Sequence, residues 1–364
     1  MPLQPRKAVS NLKAGIHGGF DQGELETLRI RPDEIIDFSV STNPAGTSAG
    51  MLRQVSVKDL SRYPDSQSTL LRREIARING VSESNVLVSS GSTEIIRLAV
   101  TAYLKEKDSV LLVEPTYGEY RLSCEIADAE VISFLTSAKD DFRPDISALT
   151  NQIKSEKPKI LFLCNPNNPT GYYLKRNEFE KILSAASESL VVLDEAYISF
   201  VDKAWKSEGY IDRNNLLILR SMTKDYALAG LRLGYAISRE EIIDVLSRVC
   251  PPWNVNVIAQ KAGVTALKSK EYLEKSRKSV FREKRYLESS LEKLGFLCVL
   301  SEANYFLVKV NKAAELRKQL LISKRILIRD CTSFGLPEYI RIAPRSHKEN
   351  RRLIAAIKEL VDDK

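Results

Sequence analysis

Five short apolar runs constrain the fold of this chain more than any other feature: Val86-Leu87-Val88, Val110-Leu111-Leu112-Val113, Ile160-Leu161-Phe162-Leu163, Leu190-Val191-Val192-Leu193 and Leu216-Leu217-Ile218-Leu219. Each is unbroken rather than alternating, so neither face of the strand can look at water. Such strands belong to a largely parallel sheet wrapped by helices, and amphipathic helical stretches do lie between the runs. Each run ends in polar or turn-forming residues: Ser89-Ser90-Gly91, Glu114-Pro115, Asn165-Pro166, Asp194-Glu195 and Arg220-Ser221. In sheets of this kind the ligand sits outside the carboxyl ends of the strands, so five polar strand ends predict one shared site. Residues 255–294 read as helix. After Gly295 the texture changes to short strands (296–300, 305–310, 326–329 and 339–343) and a closing helix after Ser346. The expected architecture is α/β: a three-layer sandwich with a mainly parallel sheet over residues 45–278, plus a smaller α+β domain built from 1–44 and 279–364.

With 364 residues the chain can bury a sizeable core, and 43% hydrophobic with 28% charged residues is ordinary for a globular protein. No apolar run approaches the ~20 residues needed to cross a bilayer, and no apolar stretch follows the first charges, Arg6 and Lys7. The five cysteines are scattered without a CxxC pair, which fits a reducing cytoplasm. The two histidines, His17 and His347, lack ligand-spaced partners, which argues against a histidine metal site. The net charge of +8 is spread through interleaved stretches such as Arg282-Glu283-Lys284-Arg285. That pattern describes a solvated helix face rather than a nucleic-acid patch. A mild basic excess also suits an enzyme for phosphorylated or carboxylated small molecules.

The run ending at Leu219 delivers Ser221, Thr223 and Lys224 onto one turn, with Arg232 on the same segment. An amine between hydroxyls and a guanidinium suits an aldehyde cofactor that carries a phosphate; an ordinary surface turn would use the same residue types. In Ser90-Gly91-Ser92-Thr93, Gly91 permits a tight turn, and the amides of Ser92 and Thr93 would face an anion from a helix N-terminus or simply cap it. Asn165-Pro166-Asn167-Asn168-Pro169-Thr170-Gly171 is more specific, since two prolines and a glycine fix the loop and present its amide side chains rigidly. Asp194, ending a buried strand, needs a cation or a helix to cap; a protonated pyridine nitrogen would serve.

Taken in order, these residues resemble the fold-type I pyridoxal-phosphate enzymes of aminotransferase class I/II, over nearly the whole chain. The resemblance implies pyridoxal 5'-phosphate as cofactor, Lys224 as its Schiff-base lysine and Asp194 as the partner of its ring nitrogen. It implies Tyr117 stacked on the ring, Asn168 and Tyr197 at the ring oxygen, and Ser92, Thr93, Ser221, Thr223 and Arg232 around the phosphate. Tyr63, in Arg62-Tyr63-Pro64, matches a tyrosine that reaches the neighbouring subunit's phosphate, which implies a homodimer.

Arg329 and Arg341 look like the two substrate arginines of the histidinol-phosphate aminotransferase branch. Within that branch Ile16-His17-Gly18-Gly19, the stretch from Asp37 to Pro44 and the stretch from Arg329 to Pro337 are similar to L-threonine-O-3-phosphate decarboxylase. That similarity implies decarboxylation of L-threonine O-3-phosphate to aminopropanol phosphate, a cobalamin-pathway reaction, with His17, Asn43, Arg329 and Arg341 at the substrate. Transamination of histidinol phosphate, or decarboxylation of serine phosphate, is the alternative. His17 could position the substrate phosphate or be a plain surface residue. Two other classes are a transcription regulator on this fold and a basic binding protein without catalysis; the first leaves no room for a DNA-binding domain before Asp37, and the second makes Lys224, Asp194 and Asn168 coincidences.

Overall fold

The computed structural model describes residues 3–10, 12–53 and 55–362. Twelve strands are assigned in it: β1 Ile36–Asp37, β2 Val86–Ser89, β3 Ser109–Glu114, β4 Glu130–Leu135, β5 Ile160–Cys164, β6 Leu190–Asp194, β7 Leu216–Ser221, β8 Gly234–Ser238, β9 Phe306–Lys309, β10 Ile326–Leu327, β11 Arg329–Asp330 and β12 Tyr339–Ile342. Seven of them form the central sheet in the order β2-β8-β7-β6-β5-β3-β4. All run the same way except β8, which is antiparallel to both its neighbours. The protein therefore has the α/β architecture with a mostly parallel sheet that the apolar runs predict.

The runs are unbroken because successive side chains feed two different cores. Leu111, Leu161, Leu163, Val191, Leu193 and Ile218 point into one cluster. Their neighbours Val110, Leu112, Phe162, Val192, Leu217 and Leu219 point into a second cluster across the sheet. Helices cover both faces, among them Ser92–Tyr103, Gly118–Ile126 and Arg176–Ala185. Burying a Val, Leu, Ile or Phe side chain contributes about 1.5–3 kcal/mol, so these two clusters dominate the stability of the sheet.

A smaller sheet, β11-β12-β9, is antiparallel, and β1 pairs in parallel with β10. Ile36 and Phe38 pack there with Leu287, Phe306, Ile340 and Leu353, so residues near the N-terminus share a core with the C-terminal part. Two details differ from expectation. Residues 255–294 form two helices, Val257–Lys268 and Lys270–Lys293, because the backbone leaves helical geometry at Ser269, with ψ at 57°. The expected strand at 296–300 reduces to a single bridge, Cys298 to Val308, with Leu297 and Leu300 left exposed. Among the described residues, no helix is long and apolar enough to cross a membrane, and no cluster of His, Cys, Asp and Glu could hold a metal ion.

Candidate active site

Topology gathers the site. Strands β2, β3, β5, β6 and β7 point the same way, so their polar carboxyl ends share one edge of the sheet. Strand β8 then returns directly alongside β7, with no crossover helix. Both ends of that connection, Ser221-Met222-Thr223-Lys224 and Arg232, consequently fall at the same edge. The cavity there is about 920 Å³ and is lined by Ser92, Thr93, Tyr117, Asn168, Asp194, Tyr197, Ser221, Thr223, Lys224 and Arg232. The smaller sheet and its N-terminal approach add His17, Arg329 and Arg341 to the wall.

Three observations define the inner half. First, Asp194 is 3% exposed and no cationic side chain pairs with it among the described residues. Its carboxylate accepts from the Tyr120 hydroxyl at 2.7 Å and the Ala196 amide at 3.0 Å. Burial pushes its pKa up to about 6 in spite of those two donors. A buried carboxylate in this state is short of one positive charge. Second, the Lys224 amine is held down to about 8, by burial first and then by repulsion from Arg341 and Arg232. Third, an anion cup faces them both. The helix Ser92–Tyr103 opens at Gly91 with no side-chain cap, so the amides of Ser92 and Thr93 remain available, while that of Glu94 donates to Gly91 O. Gly91 has φ 81°, and a Cβ there would lie 3.0 Å from Arg232 Nη2, so the missing side chain is what admits the guanidinium. Ser221 Oγ and Thr223 Oγ1 sit 2.7 Å apart across the cup. A cation-seeking carboxylate, a depressed lysine and a phosphate cup are the donor set that pyridoxal 5'-phosphate requires, and the residues fit it.

The outer half is built around two arginines. Arg329 and Arg341 are directly opposed across β11 and β12, an arrangement that costs stability for like charges. Both are buried, and neither has a carboxylate at ion-pair distance among the described residues. Arg341 Nη2 donates to Ser39 O at 2.9 Å and its other terminal nitrogen donates to Asn168 Oδ1. Arg329 Nη2 donates to Ile16 O and Ser333 Oγ, each at 2.7 Å. Burial, and Arg341 beside it, lower the pKa of Arg329. Two buried cations without an acid make a receptor for anionic substrate groups.

Two expected site residues are not brought to this cavity. Asn43, expected at the substrate, is a correction: its amide donates to Asp225 O at 2.7 Å and Ser276 Oγ at 2.8 Å, while its oxygen accepts from Ala45 N. Both ends are thus spent, the nitrogen on distant segments and the oxygen on its own turn, and its backbone N–H braces the lysine turn by donating to Lys224 O. Tyr63 is 79% exposed and stacks on Trp253 at 4.5 Å, away from the cavity of its own chain. Conversely, the fold brings Tyr120, Glu119 and Arg97 to the site, and none of the motifs announces them. Tyr120 lies one helical turn beyond Tyr117, and that spacing beside Gly118 was the available signal.

The family model for aminotransferase class I and II matches residues 34–357. The histidinol-phosphate aminotransferase of Methanococcus aeolicus is 33% identical over 98% of both chains. Among solved structures, histidinol-phosphate aminotransferase from Sinorhizobium meliloti, in complex with pyridoxal-5'-phosphate, superposes with a TM-score of 0.89 over 99% of this chain and 98% of that one, at 21% identity. L-threonine-O-3-phosphate decarboxylase from Porphyromonas gingivalis gives 0.78 over 89% and 99%, at 26% identity. These findings overturn the expected decarboxylase: eight relatives at 30–36% identity all bear the name histidinol-phosphate aminotransferase. The physical reason is that the residues behind the expectation, around His17 and between Arg329 and Pro337, suit an anionic group in either reaction and do not select which bond at Cα breaks. With the lysine, the unpaired buried carboxylate, the anion cup and the match all in one frame, the chain belongs to the class I and II aminotransferase family.

Proposed function

We propose that this protein is a pyridoxal-phosphate-dependent aminotransferase whose amino donor is histidinol phosphate. The observation that carries the proposal is the pair of buried, acid-free arginines set over the lysine and the phosphate cup. Transamination puts two substrates through one pocket in turn. Histidinol phosphate offers an amine and a phosphate, and the accepting 2-oxo acid offers carboxylates. The Arg329–Arg341 pair suits both anions, and the names of the relatives support this substrate.

Pyridoxal 5'-phosphate, when bound, supplies the aldehyde that receives the amine and the electron sink that weakens the bonds at the substrate Cα. The chain's residues do the rest. Ser92, Thr93, Ser221, Thr223 and Arg232 would hold the cofactor phosphate. Tyr117 would stack on the ring, and burial pushes its hydroxyl up to about 12, which keeps it protonated. Asn168 and Tyr197 would face the ring oxygen, and Asp194 would keep a proton on the ring nitrogen. Lys224 would hold the cofactor's aldehyde carbon, and its free amine would move the proton at the substrate Cα. The purified protein should convert histidinol phosphate to the corresponding ketone only when 2-oxoglutarate is present, with glutamate formed in equal amount. Release of CO₂ from threonine phosphate without any 2-oxo acid, and no glutamate from histidinol phosphate, would refute the proposal.

The assembly is a homodimer in which Tyr63 completes the neighbour's phosphate cup. Supporting it, Val57, Leu60, Tyr63 and Leu70 are all exposed large side chains within a short segment. Sedimentation should give the mass of two chains, and Tyr63→Phe should weaken cofactor retention about tenfold, the scale of one hydrogen bond to a charged group. An active monomer would contradict this assembly.

A further inference from the structure

One carboxylate in the cavity has no part in the chemistry above. Glu119 lies in the first turn of the helix Gly118–Ile126, lines the cavity, and its side chain is 5% exposed. A buried carboxylate in a pocket for anions weakens their binding unless its charge is engaged. Both its oxygens are engaged: Oε1 by His17 Nε2 at 3.1 Å and Oε2 by Arg97 Nη2 at 3.3 Å. The backbone of the N-terminal segment is pressed onto the same oxygen, since a Cβ at Gly15 would lie 2.8 Å from Oε1.

His17 therefore rests on a strand of chain held at three points. Ile16 O accepts from Arg329, and Gly19 N donates to Ser39 Oγ at 2.7 Å. The third point is Glu119. An anionic substrate would meet the same guanidinium, of which Nη2 alone is spent on Ile16 O and Ser333 Oγ. Of the three points, the bond to Glu119 is the one made by the His17 side chain itself, and it holds that side chain in the cavity wall, where its ring lies 5.9 Å from that of Tyr117.

We infer that Glu119 is a positioning residue for phosphorylated substrates, acting through His17: its carboxylate accepts from the Nε2–H and fixes the ring in the cavity wall, and the Nδ1–H of the imidazolium donates to the substrate phosphate. The inference rests on the reading that a phosphorylated amine occupies this cavity. On the cofactor-loaded enzyme, histidinol phosphate and unphosphorylated histidinol are titrated by the change in cofactor absorbance. Glu119→Ala and His17→Ala should each weaken histidinol phosphate about tenfold and leave histidinol unchanged. The double variant should be no weaker than either single one, as for residues that act as a unit. Hydrogen exchange without substrate should be faster across residues 15–19 in Glu119→Ala than in the parent. Multiplying effects in the double variant, or unchanged exchange at 15–19, would overturn the inference. If the parent fails to bind histidinol phosphate at all, the substrate reading falls, while the exchange measurement still decides whether Glu119 holds the segment.

Discussion

Lys224→Ala is expected to abolish transamination, and borohydride treatment of the loaded variant should leave no cofactor covalently attached. In the parent the same treatment should label one peptide, the one containing Ser221 to Lys224. The expectation comes from geometry and charge together. Lys224 sits on the turn after β7, its backbone carbonyl braced by Asn43 N. Burial and two arginines hold its amine down to about 8. At pH 7 roughly a tenth of such an amine is neutral, against fewer than roughly one in a thousand for an ordinary lysine. Only the neutral amine can attack an aldehyde. The sign of the pH dependence follows: cofactor attachment to the empty protein should accelerate as pH rises toward about 8 and level off above it. Label found at another lysine would refute the assignment.

How far the sequence foretells this arrangement depends on what each element does physically. Strands β2, β3, β5, β6 and β7 are legible because both their faces are buried and every position must be apolar. Strand β8 is equally buried but reads Gly-Tyr-Ala-Ile-Ser, and Gly234, with no side chain, lets the turn and helix of the cup approach closely. Strand β4 is half-exposed at the sheet edge and carries no strong pattern. Site residues on turns after strands are legible for the same topological reason that brings them together. Partners that meet across the fold are not: Tyr120 and Asp194 are 74 positions apart and only packing joins them. Asn43 shows the limit of a motif, which gives a residue type but not the direction of its amide. The choice between losing CO₂ and losing a proton is beyond both motif and composition, because the same lysine, carboxylate and arginines serve either reaction.

Asp194→Asn separates the two parts this carboxylate plays, and they pull in opposite directions. On its proposed role the charge would keep the ring nitrogen protonated in the loaded enzyme, so its removal should lower kcat on the order of a hundredfold or more, the scale for losing a preorganised charge partner. In the cofactor-free protein the same charge is a burden. Its folded pKa of about 6 lies above the 3.8 of a free aspartate, so the native state favours the protonated form. That stabilisation is complete below about 3.8, and it is lost as pH rises through about 6. At pH 7 the ionised form costs about 3 kcal/mol relative to the unfolded chain. Asparagine carries no such cost, and the Tyr120 hydroxyl can donate to its oxygen or accept from its amide. The cofactor-free Asp194→Asn protein should therefore melt higher than the cofactor-free parent at pH 7 to 8, with the gap closing below pH 4. Loading with pyridoxal 5'-phosphate should raise the melting temperature of the parent by more than that of the variant. A variant that is fully active, or one that melts lower than the parent at pH 7 without cofactor, would show that Asp194 is not the charge this site reserves for its cofactor.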